Sequence, residues 1–359
     1  MRLLKLFLLL ISLHFFIGCA DKLDTGTLIN SSGEGNIAGD TLYVQLNPVW
    51  EGFNKPQDIY IGNEPFIYIA DTDNNSVKMY NLAGQLLGQR EIKKPIAIGQ
   101  DYQLNLLVCA EFDTVVGGQN RSYSAVYKLD MVSAGHIIEN APITRILPQA
   151  TDFTKPNRKY SGVAGFYDNS FYVTRRGPDN SSIIDPDNSI LIFEKKLRSN
   201  GTKIDTLIGR IPLIDPIGSG IESANQVSAI TPFKKRNIDF IITMIGDNSF
   251  KVQWLQYLVT TEFSGYKNKL SPFNAGMMIP NKFSKPEGVT VDNSGNIYVA
   301  DSGKDSIYVF NSSGDEMKSF GGPTIFNAPH GVAFFDKVLY VADTGNNRIL
   351  RYILSTDLR

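Results

Sequence analysis

The chain has 359 residues, with 35 Lys and Arg against 36 Asp and Glu, a formal net charge of −1. That balance argues against bulk electrostatic capture of DNA or of an anionic membrane surface. A hydrophobic content of 42%, with 21 Phe and 16 Tyr, is enough for an extensive buried β core.

The first 18 residues read as a targeting segment. Arg2 and Lys5 give a short positive start, and the apolar run at 6–17 is too short for a membrane span. The segment ends in Phe16-Ile17-Gly18-Cys19, which resembles the lipobox of bacterial lipoproteins, with Phe where the motif usually has Leu. The resemblance implies a signal peptide at 1–18 and lipidation of Cys19. It also implies anchoring in the cell envelope, in the outer membrane or facing the periplasm, or displayed at the surface. Several acyl chains on one cysteine make such anchoring stable. Residues 19–40 are rich in Gly, Ser, Asn and Asp without periodicity and read as a flexible tether after the lipidated Cys. Cys109 then stands alone in an apolar run, as a small hydrophobe with no internal partner for a disulfide.

From residue 41 onward the chain reads as strands. A lone strand at 41–46 precedes a first unit with strands at 57–61, 66–70, 77–81 and 89–93. A second unit runs through 96–99, 104–110, 125–129 and 143–147, its hairpin lengthened by 111–124. A third covers 162–167, 170–174, 189–194 and 203–211; a fourth covers 227–231, 238–244, 251–255 and 257–263. The fifth (285–310, with 316–320) and sixth (328–352) are clear copies of one phrase, found again at 55–80. A period of about forty residues signals a repeat array. No amphipathic helix interrupts it. Six units of up to four strands, none able to bury both faces alone, predict an all-β, six-bladed β-propeller over 41–359. The sixth unit stops after its third strand. The lone strand at 41–46 is expected to pair with this last blade, closing the ring and hiding an open edge.

The recurring words are Pro-x-Gly-Val-x-Val, then Ile-Tyr-Val-Ala-Asp, then Gly-Asn-x-Arg-Ile. They resemble the NHL repeat of six-bladed propellers, strongly at 285–310 and 328–352 and well at 55–80, where Asp58 replaces the usual Gly. The middle units match weakly. With the lipobox, the chain is similar to NHL-type propeller lipoproteins of Gram-negative bacteria. NHL-like amidating lyases hold zinc through several His. Outside the targeting segment this chain has only His136 and His330, so it lacks that ligand set. Gluconolactonase-like propellers use acidic and Asn ligands, so Ca²⁺ in the central channel stays open.

In such a ring the residue after the blade-opening Pro sits near the channel mouth: Gln57, Ile96, Glu287 and His330. Glu287 and His330 are the first suspects for ligand contact or catalysis, because repetition does not require either side chain. The Asp closing the second strand recurs as Asp71, Asp301 and Asp343, with Glu111, Arg175 and Met244 at the matching places. An Asp before a tight turn accepts backbone N–H bonds, which explains its repetition without a ligand; ligand binding by this set is the competing expectation. Phe112, Tyr123, Phe153, Tyr160, Tyr266 and Phe273 either stack on a ligand or pack beneath their loops. The loops at 111–124, 131–160 and 264–284 are where function would be grafted on. Lys234-Lys235-Arg236 reads as a solvated turn. The leading expectation is a binding or scaffold propeller for a protein, peptide or glycan, with no nucleic acid partner. The alternative is a metal-dependent, lactonase-like hydrolase or lyase with Glu287, His330, Asp301 and Asp343 at its channel site.

Overall fold

The computed structural model describes residues 41–272 and 275–358. The expected signal peptide, Cys19 and tether lie outside them, as does Phe273. Within them the chain forms six four-stranded antiparallel sheets. Blade 1 is β2 (Pro56–Ile61), β3 (Ile67–Asp71), β4 (Ser76–Tyr80) and β5 (Leu86–Glu91). Blade 2 is β6 (Ala97–Gln100), β7 (Leu106–Val116), β8 (Gln119–Leu129) and β9 (Ile143–Leu147). Blade 3 is β10 (Lys159–Gly165), β11 (Phe171–Arg176), β12 (Ser189–Leu197) and β13 (Lys203–Arg210). Blade 4 is β14 (Val227–Pro232), β15 (Phe240–Met244), β16 (Val252–Val259) and β17 (Ser264–Asn268). Blade 5 is β18 (Pro286–Val291), β19 (Ile297–Asp301), β20 (Ser306–Phe310) and β21 (Glu316–Gly321). Blade 6 combines β22 (Pro329–Phe335), β23 (Val338–Asp343) and β24 (Arg348–Leu354) with the first strand, β1 (Tyr43–Trp50).

β1 pairs antiparallel with β24, Tyr43 opposite Leu354 and Gln45 opposite Tyr352, so one sheet holds both the first and the last described strands. β1 is longer than the 41–46 expected, and its register shifts between Leu46 and Trp50. The shift carries Trp50 into the core, where its ring stacks on Tyr80 at 5.5 Å. Two further departures from the sequence reading are local. The stretch 111–124 is not a loop but the far half of a long β7–β8 hairpin. In blade 4 the third strand runs on to Val259, and the fourth is Ser264–Asn268 rather than 257–263.

The core lies between blades. Six apolar clusters fill the six interfaces; one joins Ile69 and Tyr80 of blade 1 to Tyr340 and Ala342 of blade 6. Another joins Val299 and Phe310 of blade 5 to Ile241 and Trp254 of blade 4. Central strands are therefore buried on both faces and read as unbroken apolar runs: Ile67–Asp71, Phe240–Met244 and Ile297–Asp301 are fully buried. That continuity follows from stacking, because each blade uses both faces.

Polar side chains lock neighbouring blades together near the ring's inner edge. The Thr72 hydroxyl donates to the Pro95 carbonyl at 2.6 Å, and Thr344 does the same to Pro56. In the divergent blades serine takes over: Ser161 donates to the Val227 carbonyl and Ser228 to that of Pro286, each at 2.6 Å. Asn75, Asp305 and Asn347 end their hairpins with φ of +51°, +48° and +57°. Asn and Asp tolerate that left-handed region better than other non-glycine residues. Each then accepts a backbone N–H from the next blade: Lys94, Ala328 and Lys55 in turn. The repeated Asn and Asp of the hairpins are blade couplers.

Candidate functional site

All six inner strands start at one end of the ring, called here the upper end, and run down a central channel. Residues of β2, β14, β18 and β22, with short stretches of β6 and β10, line a cavity of about 520 Å³. Its middle is apolar, with Ile98, Val163, Ile230, Val289 and Val332 in the wall. Glycines at the third position of the Pro-x-Gly phrase exist because inner strands approach backbone to backbone. A Cβ on Gly288 would collide with the His330 carbonyl oxygen, and one on Gly331 would come within 2.6 Å of Asp58 Cα.

Blade 1 breaks this rule with Asp58, and the structure shows what the side chain does. Its Oδ2 accepts the Ile98 N–H of blade 2 at 2.7 Å, and its Oδ1 accepts its own neighbour's N–H, from Ile59, at 2.9 Å. The residue is half-buried in the channel wall. Burial pushes its pKa up to about 6, against the two N–H bonds that favour the charged form.

At the upper end the residue after the blade-opening position is Gln57, Ile96, Ser161, Ser228, Glu287 and His330 in blade order. The two serines are consumed by the interblade bonds described above. Gln57, Glu287 and His330, on three consecutive blades, form an arc of polar groups. No hydrogen bond or ion pair engages these side chains among the described residues.

Arg176 ends β11 in blade 3. Alternation along the strand sends Arg175 and Arg176 to opposite faces. Arg175 is 3% exposed and tied to Asp185 Oδ1 at 2.5 Å and to the Asp187 and Pro186 carbonyls. Arg176 instead feels the charge of Glu287, and His330 feels both. The Nη1 of Arg176 is buried with no hydrogen-bond partner. Arg176 and Glu287 nevertheless stay more than 4.0 Å apart, too far for a direct ion pair. Burial holds the Arg176 guanidinium below its ordinary pKa, with Glu287 acting in the opposite direction. Burial likewise lowers His330; Glu287 opposes the shift and Arg176 adds to it. His330 is therefore neutral at pH 7.

The lower end of the cavity is occupied by a lysine. Lys234, from the β14–β15 hairpin of blade 4, reaches across to blade 1 and donates to the Ile61 carbonyl at 3.3 Å. Its ammonium lies 5.8 Å from the centre of the Tyr60 ring. Burial lowers its pKa, with Glu64 opposing. The solvated-turn reading of 234–236 is thus corrected at its first residue.

The Asp set is corrected as a ligand site. Asp71, Asp301 and Asp343 are all fully buried, and the chain itself occupies their oxygens. Asp301 accepts N–H bonds from Ser284, Lys285 and Gly303 at 2.7–3.1 Å. Asp71 holds Asn54 N–H and pairs with Lys78 at 2.7 Å; Asp343 holds Asn327 N–H and pairs with Arg348 at 2.7 Å. Arg175 belongs to the buried network already described, and Met244 is fully buried. Glu111 pairs with Lys159 at 2.9 Å, and its carboxylate takes no part in the arc. Most of the loop aromatics pack inward: Tyr123, Tyr160 and Tyr266 are 2%, 1% and 5% exposed. Phe112, Tyr123 and Phe153 form one cluster beneath the guanidinium of Arg145.

Sequence reasoning missed the two upper-end loops of blades 3 and 4. The 177–188 loop is held by Arg158, which pairs with Asp152, Asp185 and Asp187, each at 2.7 Å. Its apex carries Ile183 and Ile184, each 88% exposed. Asn188 donates to the Pro216 carbonyl and so joins it to the 211–226 loop, where Leu213, Ile217 and Ile221 are also exposed. Exposed aliphatic side chains gathered on linked loops mark a candidate interaction surface. Among the described residues, no three His, Cys, Asp or Glu side chains group as a metal-binding cluster.

With this geometry in hand, the family model described as "NHL repeat" matches residues 283–310 and 326–352, blades 5 and 6. NHL repeat-containing protein 2 of Gallus gallus is 27% identical over 138 residues, 33% of this chain and 19% of that protein. The Homo sapiens protein of the same name is 33% identical over 104 residues, 26% of this chain and 13% of its own. The chain therefore spans under a fifth of those relatives. Among solved structures, an auxiliary nutrient binding protein from Bacteroides thetaiotaomicron superposes with a TM-score of 0.54 at 9% identity, covering 84% of this chain and 70% of that one. A luciferin-regenerating enzyme superposes at 0.53 with 12% identity, covering 86% and 95%. Binding proteins and enzymes thus share this architecture, and likeness at such identity speaks for the fold alone. The chain is an all-β, six-bladed propeller that carries NHL repeats in its fifth and sixth blades.

Proposed function

We propose that the protein is a binding propeller, anchored to a bacterial cell envelope through lipid on Cys19, that engages a protein, peptide or glycan with its upper face. The carrying observation is the exposed aliphatic set Ile183, Ile184, Leu213, Ile217 and Ile221, on loops that hydrogen bonds tie together beside the channel mouth. A rigid platform with apolar projections suits a partner's surface better than it suits a buried small-molecule reaction. The alternative, a metal-dependent hydrolase or lyase, would hold its metal at the channel through acidic and Asn side chains.

Three measurements test this reading. Peptide and glycan arrays probed with the purified protein are expected to give hits that Ile183→Asp with Ile217→Asp abolishes while the melting temperature holds. Hits that ignore both changes would move the site elsewhere. Stoichiometric Ca²⁺ or Zn²⁺ surviving purification would favour the hydrolytic alternative. For the anchor, Cys19→Ser is expected to release the protein from the membrane fraction; continued membrane association would contradict lipidation.

A further inference from the structure

We propose that the central channel binds a short apolar peptide with both termini free, its ammonium on Glu287 at the upper mouth and its carboxylate on Lys234 at the lower end. This site rests on the binding reading above and adds to it a central ligand of stated chemistry. Both residues line the cavity. Glu287 makes no hydrogen bond or ion pair among the described residues. Lys234 spends one N–H on the Ile61 carbonyl, at 3.3 Å, and among the described residues no carboxylate comes within 4.0 Å of its ammonium. An ammonium has three donors, so the others remain unused.

The remaining charges of the wall are engaged elsewhere or lie at its rim. Asp58 accepts N–H groups of Ile59 and Ile98 on its two oxygens. Asp292 accepts from Ser294, Asn296 and the Tyr298 hydroxyl. Lys337 pairs with Asp357 at 2.8 Å, and Asp336 sits on the exposed turn between β22 and β23. Inside that rim the channel offers one free anion at its upper end and one free cation at its lower end. A simple anion or a simple cation answers only one of them. A ligand with opposite charges at its two ends answers both.

Spacing along the inner strands sets the ligand's length. Glu287 stands at the level of Gln57, and the carbonyl that Lys234 reaches is that of Ile61, at the far end of β2. At about 3.3 Å per residue those levels lie about 13 Å apart. An extended chain advances about 3.3–3.6 Å per residue, so a peptide of three or four residues spans the gap. The wall between is Ile98, Val163, Ile230, Val289 and Val332, with Thr231 and Thr290 also lining it. Small apolar side chains suit the aliphatic wall, and peptide amides suit the two hydroxyls, which a plain alkyl chain leaves unpaired. The cavity of about 520 Å³ lies in the range of small-molecule sites.

Isothermal titration of the full chain with trialanine and tetraalanine tests the proposal. Their N-acetyl and C-amide forms, and 8-aminooctanoate, are the controls. A free peptide is expected to bind, with each blocked form and the alkyl amino acid at least roughly tenfold weaker. Glu287→Gln is expected to weaken the free peptide by a similar factor and to leave the N-acetyl form unchanged. Lys234→Met is expected to weaken the free peptide likewise and to leave the C-amide unchanged. If either variant fails to fold, the blocked peptides on the parent protein carry the test. No binding of either free peptide, blocked forms or 8-aminooctanoate that bind equally well, or variants that weaken free and blocked peptides alike, overturns the proposal. Array hits that Ile183→Asp with Ile217→Asp abolishes would then leave the broader binding reading standing, and their absence as well would remove both.

Discussion

Two aspartates show how the same side chain is given opposite tasks by its surroundings. Asp301 lies under three backbone N–H groups, those of Ser284, Lys285 and Gly303. Asp301→Ala strands these donors in a dry interior, at a cost of roughly 3 kcal/mol or more, while Asp301→Asn keeps one acceptor and loses less. Denaturant midpoints of the two variants check the order. If Asp301→Ala unfolds no earlier than the parent, the structural role assigned to the repeated Asp is wrong. Asp58 behaves differently, because burial outweighs its two N–H bonds and lifts its pKa to about 6. The folded state then holds a proton that the unfolded chain releases near 4, so this group's contribution to stability falls as pH rises from about 4 to about 6 and is level above. Asp58→Asn removes the titration. The melting-temperature difference between the Asp58→Asn variant and the parent protein should therefore grow in favour of the variant across that window, and a flat difference would contradict the raised pKa.

At the scale of elements, the upper loops of blade 3 depend on one buried hub. Arg158 is 4% exposed and binds carboxylates of Asp152, Asp185 and Asp187, fastening the base of the 177–188 loop. Arg158→Met leaves those carboxylates without their cation, and breaking such a buried network costs about 3–5 kcal/mol. Proteolysis within 177–188 should accelerate before global unfolding, and the array hits should weaken with it. Equal protease resistance would show that Arg158 does not hold the loop. None of this was legible in the sequence, because blades 3 and 4 keep the strand rhythm but not the repeated words. Repetition marked the Asp position in blade 3 as Arg175. Arg176, one residue on, faces the other way, as strand alternation requires. Glu287 and His330 were readable for the reverse reason: they follow an intact Pro in intact repeats. Lys234 was hidden by its charged neighbours, since a run of Lys-Lys-Arg looks solvated until one of its members is seen to turn into the channel.

At the scale of the whole molecule, the strand pattern and repeat spacing were enough to predict six blades, because stacking demands the same apolar runs in every sheet. Blade-to-blade polar couplings were only half visible. Asn75, Asp305 and Asn347 grip the next blade through neighbours about twenty residues on, or at the far end of the chain, which the local sequence does not mark. Gln57, Glu287 and His330 share an address only if blades 5, 6 and 1 are neighbours, and β1 pairs with β24 of the last blade. Val44 and Ile353 face each other across that pair. Directly opposed residues on antiparallel strands lie within the Cα range of a disulfide. The most direct measurement is oxidation of the full chain carrying Val44→Cys, Ile353→Cys and Cys19→Ser, followed by mass analysis and melting with and without reductant. A single intramolecular bridge that raises the melting temperature is the predicted result. Three free thiols, Cys109 among them, or bridges formed only between molecules, would contradict a ring closed by its first strand.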